Sequence, residues 1–251
     1  MGKLSDLGLA EAFVDPTRVT HPPVRTTHGY LDVLAPATEE PVSLANRLMQ
    51  SPLLAAVYER AWRPMFTRMF SYGGRGTATV HSELMRDIAT GGGQKILDVA
   101  CGPGLYTRQL ATSLADGGAC IGLDLSEPML RRAVRDNAGD RVDYVRGSAH
   151  ALPFADGTFD TVVCLAALYL IPDPEQAVRE LCRVAGPAGQ IAIFTSLQTQ
   201  LTTLPGAAAA MRVGGFRAFG RDEITDWLRI YGWTDIDQTL TGQGQFIRAR
   251  R

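Results

Sequence analysis

Two carboxylates and one run of small residues stand where chemistry can be done. Asp98 sits near the end of the apolar run Ile96–Val99, and Ala100-Cys101-Gly102-Pro103-Gly104 follows directly. Asp124 closes a second apolar run, Cys120-Ile-Gly-Leu-Asp124, 20 residues beyond Gly104. Glycines let a backbone turn sharply and approach a ligand with no Cβ in the way. A helix opening near Tyr106 would aim unpaired N–H groups at the same spot. A carboxylate at the distance of Asp124 suits the two hydroxyls of a ribose. The turn alone is ambiguous, because nicotinamide- and flavin-binding units use the same device.

Three more stretches follow at the ends of apolar runs. They are the loop Gly147-Ser-Ala-His-Ala-Leu-Pro-Phe154, the turn Asp156-Gly-Thr-Phe-Asp160, and Val162–Leu165 continued by Ala-Ala-Leu-Tyr-Leu-Ile-Pro-Asp173.

The elements that must position these residues alternate in type. Apolar runs predict strands at 95–100, 119–124, 142–146, 159–165, 189–195, 233–239 and 244–250, with helices at 105–116, 127–137, 174–185 and 221–231 between them. Alternation of this kind gives right-handed crossovers and a Rossmann-like, mainly parallel seven-stranded α/β sheet. The short turn at Gly242–Gly244 makes the last strand antiparallel.

Ahead of the sheet the sequence reads as an N-terminal helical extension over residues 1–90, with 91–251 as the ligand-binding domain. Gly29–Leu34 reads as a short strand without a visible partner, Ser51–Phe70 as a helix divided by Pro64, and Thr77–Ala89 as a second helix. The segment 197–220 is longer than an ordinary connection and reads as a cover with a short helix at 206–212.

Composition removes several function classes. A formal net charge of -1 offers no field to draw nucleic acid, and the basic C-terminal residues read as a solvated terminus. Cys101, Cys120, Cys164 and Cys182 lie far apart with no metal-ligand spacing, so no metal and a reduced, cytoplasmic protein are expected. No stretch approaches the roughly 20 apolar residues that span a bilayer, and no secretory leader is read.

The order and spacing of the five strand-end features resemble the class I S-adenosylmethionine-dependent methyltransferases, on the branch of the ubiquinone and menaquinone biosynthesis enzymes. Residues 94–195 carry most of the resemblance. Ser51-Pro-Leu-Leu with Tyr58–Arg63 is similar to plastid and bacterial methyltransferase-like proteins of this branch. Some of those begin with a zinc-ribbon-type cysteine module, which this chain lacks before Cys101.

The resemblance implies S-adenosylmethionine as cofactor and assigns roles by position. Asp98 binds the ammonium of the methionine part, with the backbone of Ala100, Cys101, Gly102 and Gly104 beside it. Asp124 takes the ribose hydroxyls, Leu125 and Met129 pack on the adenine, Ser148 and Ala149 flank its edge, and Leu165 lies near the amino acid portion. Ala100 replaces a glycine common in the family, and Ser148 an aspartate. Thr107 replaces the third glycine of a dinucleotide fingerprint, which speaks against a nicotinamide.

The acceptor is expected to be a small apolar or aromatic molecule. Tyr58, Trp62, Arg63, Phe66 and Phe70 on one side, and Met211, Phe216 and Phe219 on the other, are the candidate pocket, although aromatic stripes at helical spacing also describe core. Candidates for a proton acceptor are His150 and Tyr169, with His81 and His28 behind them. A catalytically silent cofactor-binding regulator or scaffold is the alternative from another class.

Overall fold

The computed structural model describes residues 8–34, 85–206 and 216–251. The candidate helix Ser51–Phe70, with Tyr58, Trp62, Arg63, Phe66 and Phe70, lies outside the described residues, as do His81, Met211 and most of the expected helices at 77–89 and 206–212. Residues 85–88 are helical.

Among the described residues nine strands form one sheet: β1 (Val24–Arg25), β2 (Leu31–Asp32), β3 (Lys95–Val99), β4 (Ala119–Asp124), β5 (Val142–Arg146), β6 (Phe159–Leu165), β7 (Ala185–Ser196), β8 (Asp235–Thr241) and β9 (Gly244–Arg250). Their spatial order is β1-β2-β5-β4-β3-β6-β7-β9-β8. β2 through β7 run parallel, and β9 is antiparallel to both β7 and β8. The seven strands expected in the ligand-binding domain are all present, β2 falls within the strand expected at Gly29–Leu34, and β1 adds a further very short one at the edge.

The helices α1 (Leu105–Ala111), α2 (Glu127–Asn137), α3 (Pro174–Val184) and α4 (Glu223–Ile230) cover the two faces. Alternate side chains of β3 show the division: Ile96 packs with Leu110 and Leu130, while Leu97 and Val99 pack with Val178, Leu181 and Leu228. Each such burial contributes ~1.5–3 kcal/mol. Strands covered on both faces read as continuous apolar runs, which is why they were visible in sequence.

Three boundaries differ from expectation. α1 ends at Ala111, not 116, because Ala115 N–H bonds the Gly92 carbonyl at 2.9 Å and Leu114 bridges Gly92, so those residues leave the helix to close against the chain ahead of β3. β7 begins at Ala185 and not at 189, across an irregularity opposite Phe159–Thr161. β8 begins at Asp235, two residues after Trp233, which is fully buried in the core.

The partner of the Gly29–Leu34 strand is now visible on both sides. β2 lies antiparallel to β1 and parallel to β5. Arg25 fixes this edge: its guanidinium donates to both oxygens of Asp143 at 2.7 and 2.8 Å and also pairs with Glu11. Phe13 stacks on Phe159 with centroids 5.5 Å apart, so residues 8–34 are packed onto the sheet.

Candidate functional site

β3, β4, β5 and β6 end side by side, and the chain departs to one side of β3 through β4 and β5 and to the other through β6 and β7. Crevices at such a switch point, outside the carboxyl ends of the strands, are where open α/β sheets bind ligands. Asp98, Asp124, Ser148 and Leu165 all fall at or just beyond these ends.

The turn after β3 is built with left-handed backbone. Ala100, Gly102 and Gly104 have φ of 57, 55 and 78°. Gly104 is the N-cap of α1, and Cys101 N–H donates to the Leu123 carbonyl at 3.1 Å, tying the turn to β4. A Cβ on Gly102 would meet nothing within 4 Å, so open space lies over the turn at that position. A Cβ on Gly104 would come within 2.8 Å of the Tyr144 ring.

Tyr144 explains a second glycine. It stands on β5 directly opposite Gly122 of β4, where an added Cβ would lie 2.7 Å from the same ring. Its hydroxyl donates to the Asn137 carbonyl at 2.9 Å. This buried ring supports the turn from below. The signal was available in sequence: a glycine inside a buried strand marks a close approach by a neighbour.

Asp98 is 1% exposed and accepts a hydrogen bond from Thr107 Oγ1 at 2.7 Å. Burial pushes its carboxyl up to about 7 against the lowering effect of Thr107, and the Asp124 charge adds to the rise. Thr107, read in sequence only as a missing glycine, therefore has a positive function in the first turn of α1. Cys101 is buried beside both carboxylates, and burial pushes its thiol up.

Asp124 keeps some surface while its carboxyl sits among protein atoms. One oxygen accepts from Gly102 N–H and the other from Ser126 N–H, each at 2.8 Å. Burial raises its pKa, while the Ser126, Gly102 and Leu125 N–H groups counteract. A carboxylate offers about four lone-pair directions, so two bonds to backbone leave acceptor capacity for a pair of hydroxyls. Leu125 is part-buried, and Met129 on α2 is 4% exposed.

Ser148 is buried, with its Oγ accepting from His150 N–H at 3.1 Å; Ala149 packs against the core beside it, and Leu165 is 6% exposed. The His150 ring Nε2 meets the Pro172 carbonyl, and the His150 carbonyl accepts from Gln176 at 2.9 Å. His28 is an exposed residue of the turn before β2.

Tyr169 and Phe216 are brought together. Their rings stack at 5.7 Å, and the Tyr169 carbonyl accepts from Arg217 N–H at 3.0 Å. The two ends of the 197–220 segment are tied by a Leu197–Phe219 bridge, by Gln198 N–H to the Phe219 carbonyl at 2.7 Å and by Ser196 Oγ to the Arg217 carbonyl at 2.5 Å. Phe219 is fully buried in the core and edge-on to Trp227, so it packs the base of this segment. Among the described residues no cluster of three or more His, Cys, Asp or Glu could hold a metal ion.

A family described as "methyltransferase domain" matches residues 97–193. An uncharacterized chloroplastic methyltransferase of Arabidopsis thaliana is 31% identical over 235 residues, covering 88% of this chain and 66% of that protein. The demethylmenaquinone methyltransferase of Shouchella clausii is 38% identical over 126 residues, 49% of this chain and 52% of that one. The chain thus spans between about half and two thirds of the length of these relatives. Among solved structures, the Haemonchus contortus phosphoethanolamine N-methyltransferase 2 complex with S-adenosyl-L-methionine has a TM-score of 0.68 at 16% identity over 84% of this chain and 60% of that one. The [4+2]-cyclase SpnF has a TM-score of 0.59 at 16% identity, over 80% of this chain and 96% of that one. At such identities the structural likeness speaks for the fold.

Proposed function

The chain belongs to the class I S-adenosylmethionine-dependent methyltransferases, on the quinone-biosynthesis-like branch, and on that premise we propose that it methylates a small apolar or aromatic molecule. The observation that carries the cofactor half is Asp124, anchored by two backbone N–H groups with acceptor capacity left over, next to open space above Gly102. The aromatic acceptor is supported by relatives named as demethylmenaquinone methyltransferases and by the Tyr169–Phe216 stack beside the carboxyl end of β6.

The cofactor's sulfonium supplies an already activated methyl group, so the chain's own work is positioning. In this proposal Asp124 orients the ribose and Leu125 and Met129 enclose the adenine, with Ser148 and Ala149 at its edge. Asp98, the backbone of Ala100, Cys101, Gly102 and Gly104, and Leu165 hold the methionine end. Ionised Asp98 offers a buried negative charge suited to an ammonium, and Thr107 favours that ionised form. His150, with its ring on the Pro172 carbonyl, serves to hold the loop after β5, and Tyr169 with Phe216 orients the acceptor.

Residues 1–90 and 197–220 are proposed to supply the remaining acceptor walls, including Tyr58, Trp62, Arg63, Phe66 and Met211. Among the described residues no helix is long and apolar enough to cross a membrane. A cytoplasmic setting is proposed from four free, buried cysteines, while the Arabidopsis relative is named chloroplastic.

Asp124→Ala tests the cofactor site. Loss of a charge-assisted acceptor pair removes ~1.5–3 kcal/mol, so calorimetry should show S-adenosylhomocysteine binding weakened roughly tenfold or more. Unchanged affinity would sink the ribose assignment. A nicotinamide found by mass spectrometry in the purified protein would overturn the cofactor reading, and a screen for metabolites gaining one methyl group identifies the acceptor.

A further inference from the structure

Three charged residues stand in register across three adjacent parallel strands. Asp32 of β2 is opposite Arg146 of β5, and Arg146 is opposite Asp124 of β4. Residues opposite one another in neighbouring strands project to the same face of a sheet, so Arg146 shares a face with both Asp32 and Asp124.

It is held by Asp32. Arg146 Nη1 donates to Asp32 Oδ2 at 3.0 Å, while its Nε reaches the Leu125 carbonyl at 3.4 Å. Asp124, meanwhile, spends its bonds on Gly102 and Ser126. Leu125 lies between Asp124 and Ser126, in the loop that faces the adenosine half of the site. Nearby, Tyr30 of the same N-terminal segment shares a hydrogen bond with Glu127 in the first turn of α2. Burial pushes the Glu127 carboxyl up, but Arg131, Tyr30 and Arg146 together hold it below its ordinary range.

We propose that the Asp32–Arg146 pair is a positioning device for the adenosine half of the cofactor site, a role that rests on the methyl-donor reading above. It holds the Arg146 guanidinium against the Leu125 carbonyl and so fixes the loop that follows β4, next to the Asp124 carboxylate. The pair is partly buried, and its effect is expected to fall on ligand affinity.

The test measures binding of S-adenosylhomocysteine and of 5′-methylthioadenosine, which keeps the adenosine and lacks the amino acid end, to the full chain by calorimetry. Arg146→Met should weaken both by the same factor, about five- to twentyfold, because the loss lies in the shared half. Asp32→Asn, which keeps size and shape, should weaken both by about threefold or more and carries the test if Arg146→Met folds poorly. Arg18→Met is the control: it cuts another tether of the same segment, the 2.8 Å pair with Asp156, and should leave both affinities within about twofold even where melting temperature falls. Wild type that binds neither ligand overturns the cofactor reading and this role together. Wild type that binds both, with Arg146→Met and Asp32→Asn binding equally well, overturns this role alone. So do a loss confined to S-adenosylhomocysteine and an equal loss in Arg18→Met.

Discussion

Thr107 donates its hydroxyl hydrogen to Asp98 at 2.7 Å, joining the first turn of α1 to the end of β3 between two side chains that are almost wholly buried. The bond works against burial, which pushes the Asp98 carboxyl up to about 7. Thr107→Val keeps the shape and removes the donor. It should lower stability by ~1–3 kcal/mol above pH 7, where the ionised Asp98 loses its partner, and shift the midpoint of cofactor binding to higher pH. Urea unfolding and calorimetry at several pH values read both effects.

Asp98 also makes the ligand-free protein pH-sensitive, with a definite sign. Its pKa is near 3.8 unfolded and about 7 folded, so the folded chain binds the extra proton between those values. Stability from this group is full below the unfolded value and is lost as pH rises through about 7. Asp98→Asn should flatten that decline in urea titrations between about pH 4 and 7, the span in which the folded chain holds a proton the unfolded chain has lost, while weakening S-adenosylhomocysteine binding above it. A decline that persists in the variant would assign the titration to another group.

Gly104→Ala meets two obstacles, a left-handed backbone and the Tyr144 ring. The first alone costs ~1–2 kcal/mol. A clear fall in melting temperature together with at least about tenfold weaker cofactor binding is expected, and a variant as stable as wild type would show that Tyr144 moves aside at no cost.

Ala100 and Ala166 end the neighbouring strands β3 and β6 with φ of 57 and 59°. Glycine relieves the ~1–2 kcal/mol of left-handed strain and returns ~0.4–1 kcal/mol through unfolded-chain entropy. Ala100→Gly and Ala166→Gly should each stabilise the protein by about 0.5–1 kcal/mol, the difference between those terms. Chemical denaturation measures it.

Much of this fold was legible because the central strands are buried on both faces, and an uninterrupted run such as Val162–Leu165 leaves little else to be. The turn at Gly102 was legible because a left-handed backbone favours glycine, and the place of Asp124 because it closes an apolar run. What escaped has a common cause, a partner distant in sequence. β1, and the partners of the β2 strand read within Gly29–Leu34, depend on Arg25 reaching Asp143, which no local pattern announces. Helix α1 lost its last residues to a bond with Gly92. Tyr144 and Arg146 looked like ordinary strand residues until register set them beside Gly122 and Asp32.

The stacking of Phe13 on Phe159 bears on how this protein can be recombined. The stretch 97–193 that matches the methyltransferase family ends inside β7, short of β9, and omits the segment that covers Phe159. A chimera that transplants that stretch alone inherits an uncovered aromatic face and a strand without its antiparallel neighbour. Grafts that exchange acceptor preference between relatives should therefore cut outside residues 8–34 and after β9, and swap what lies between as loops.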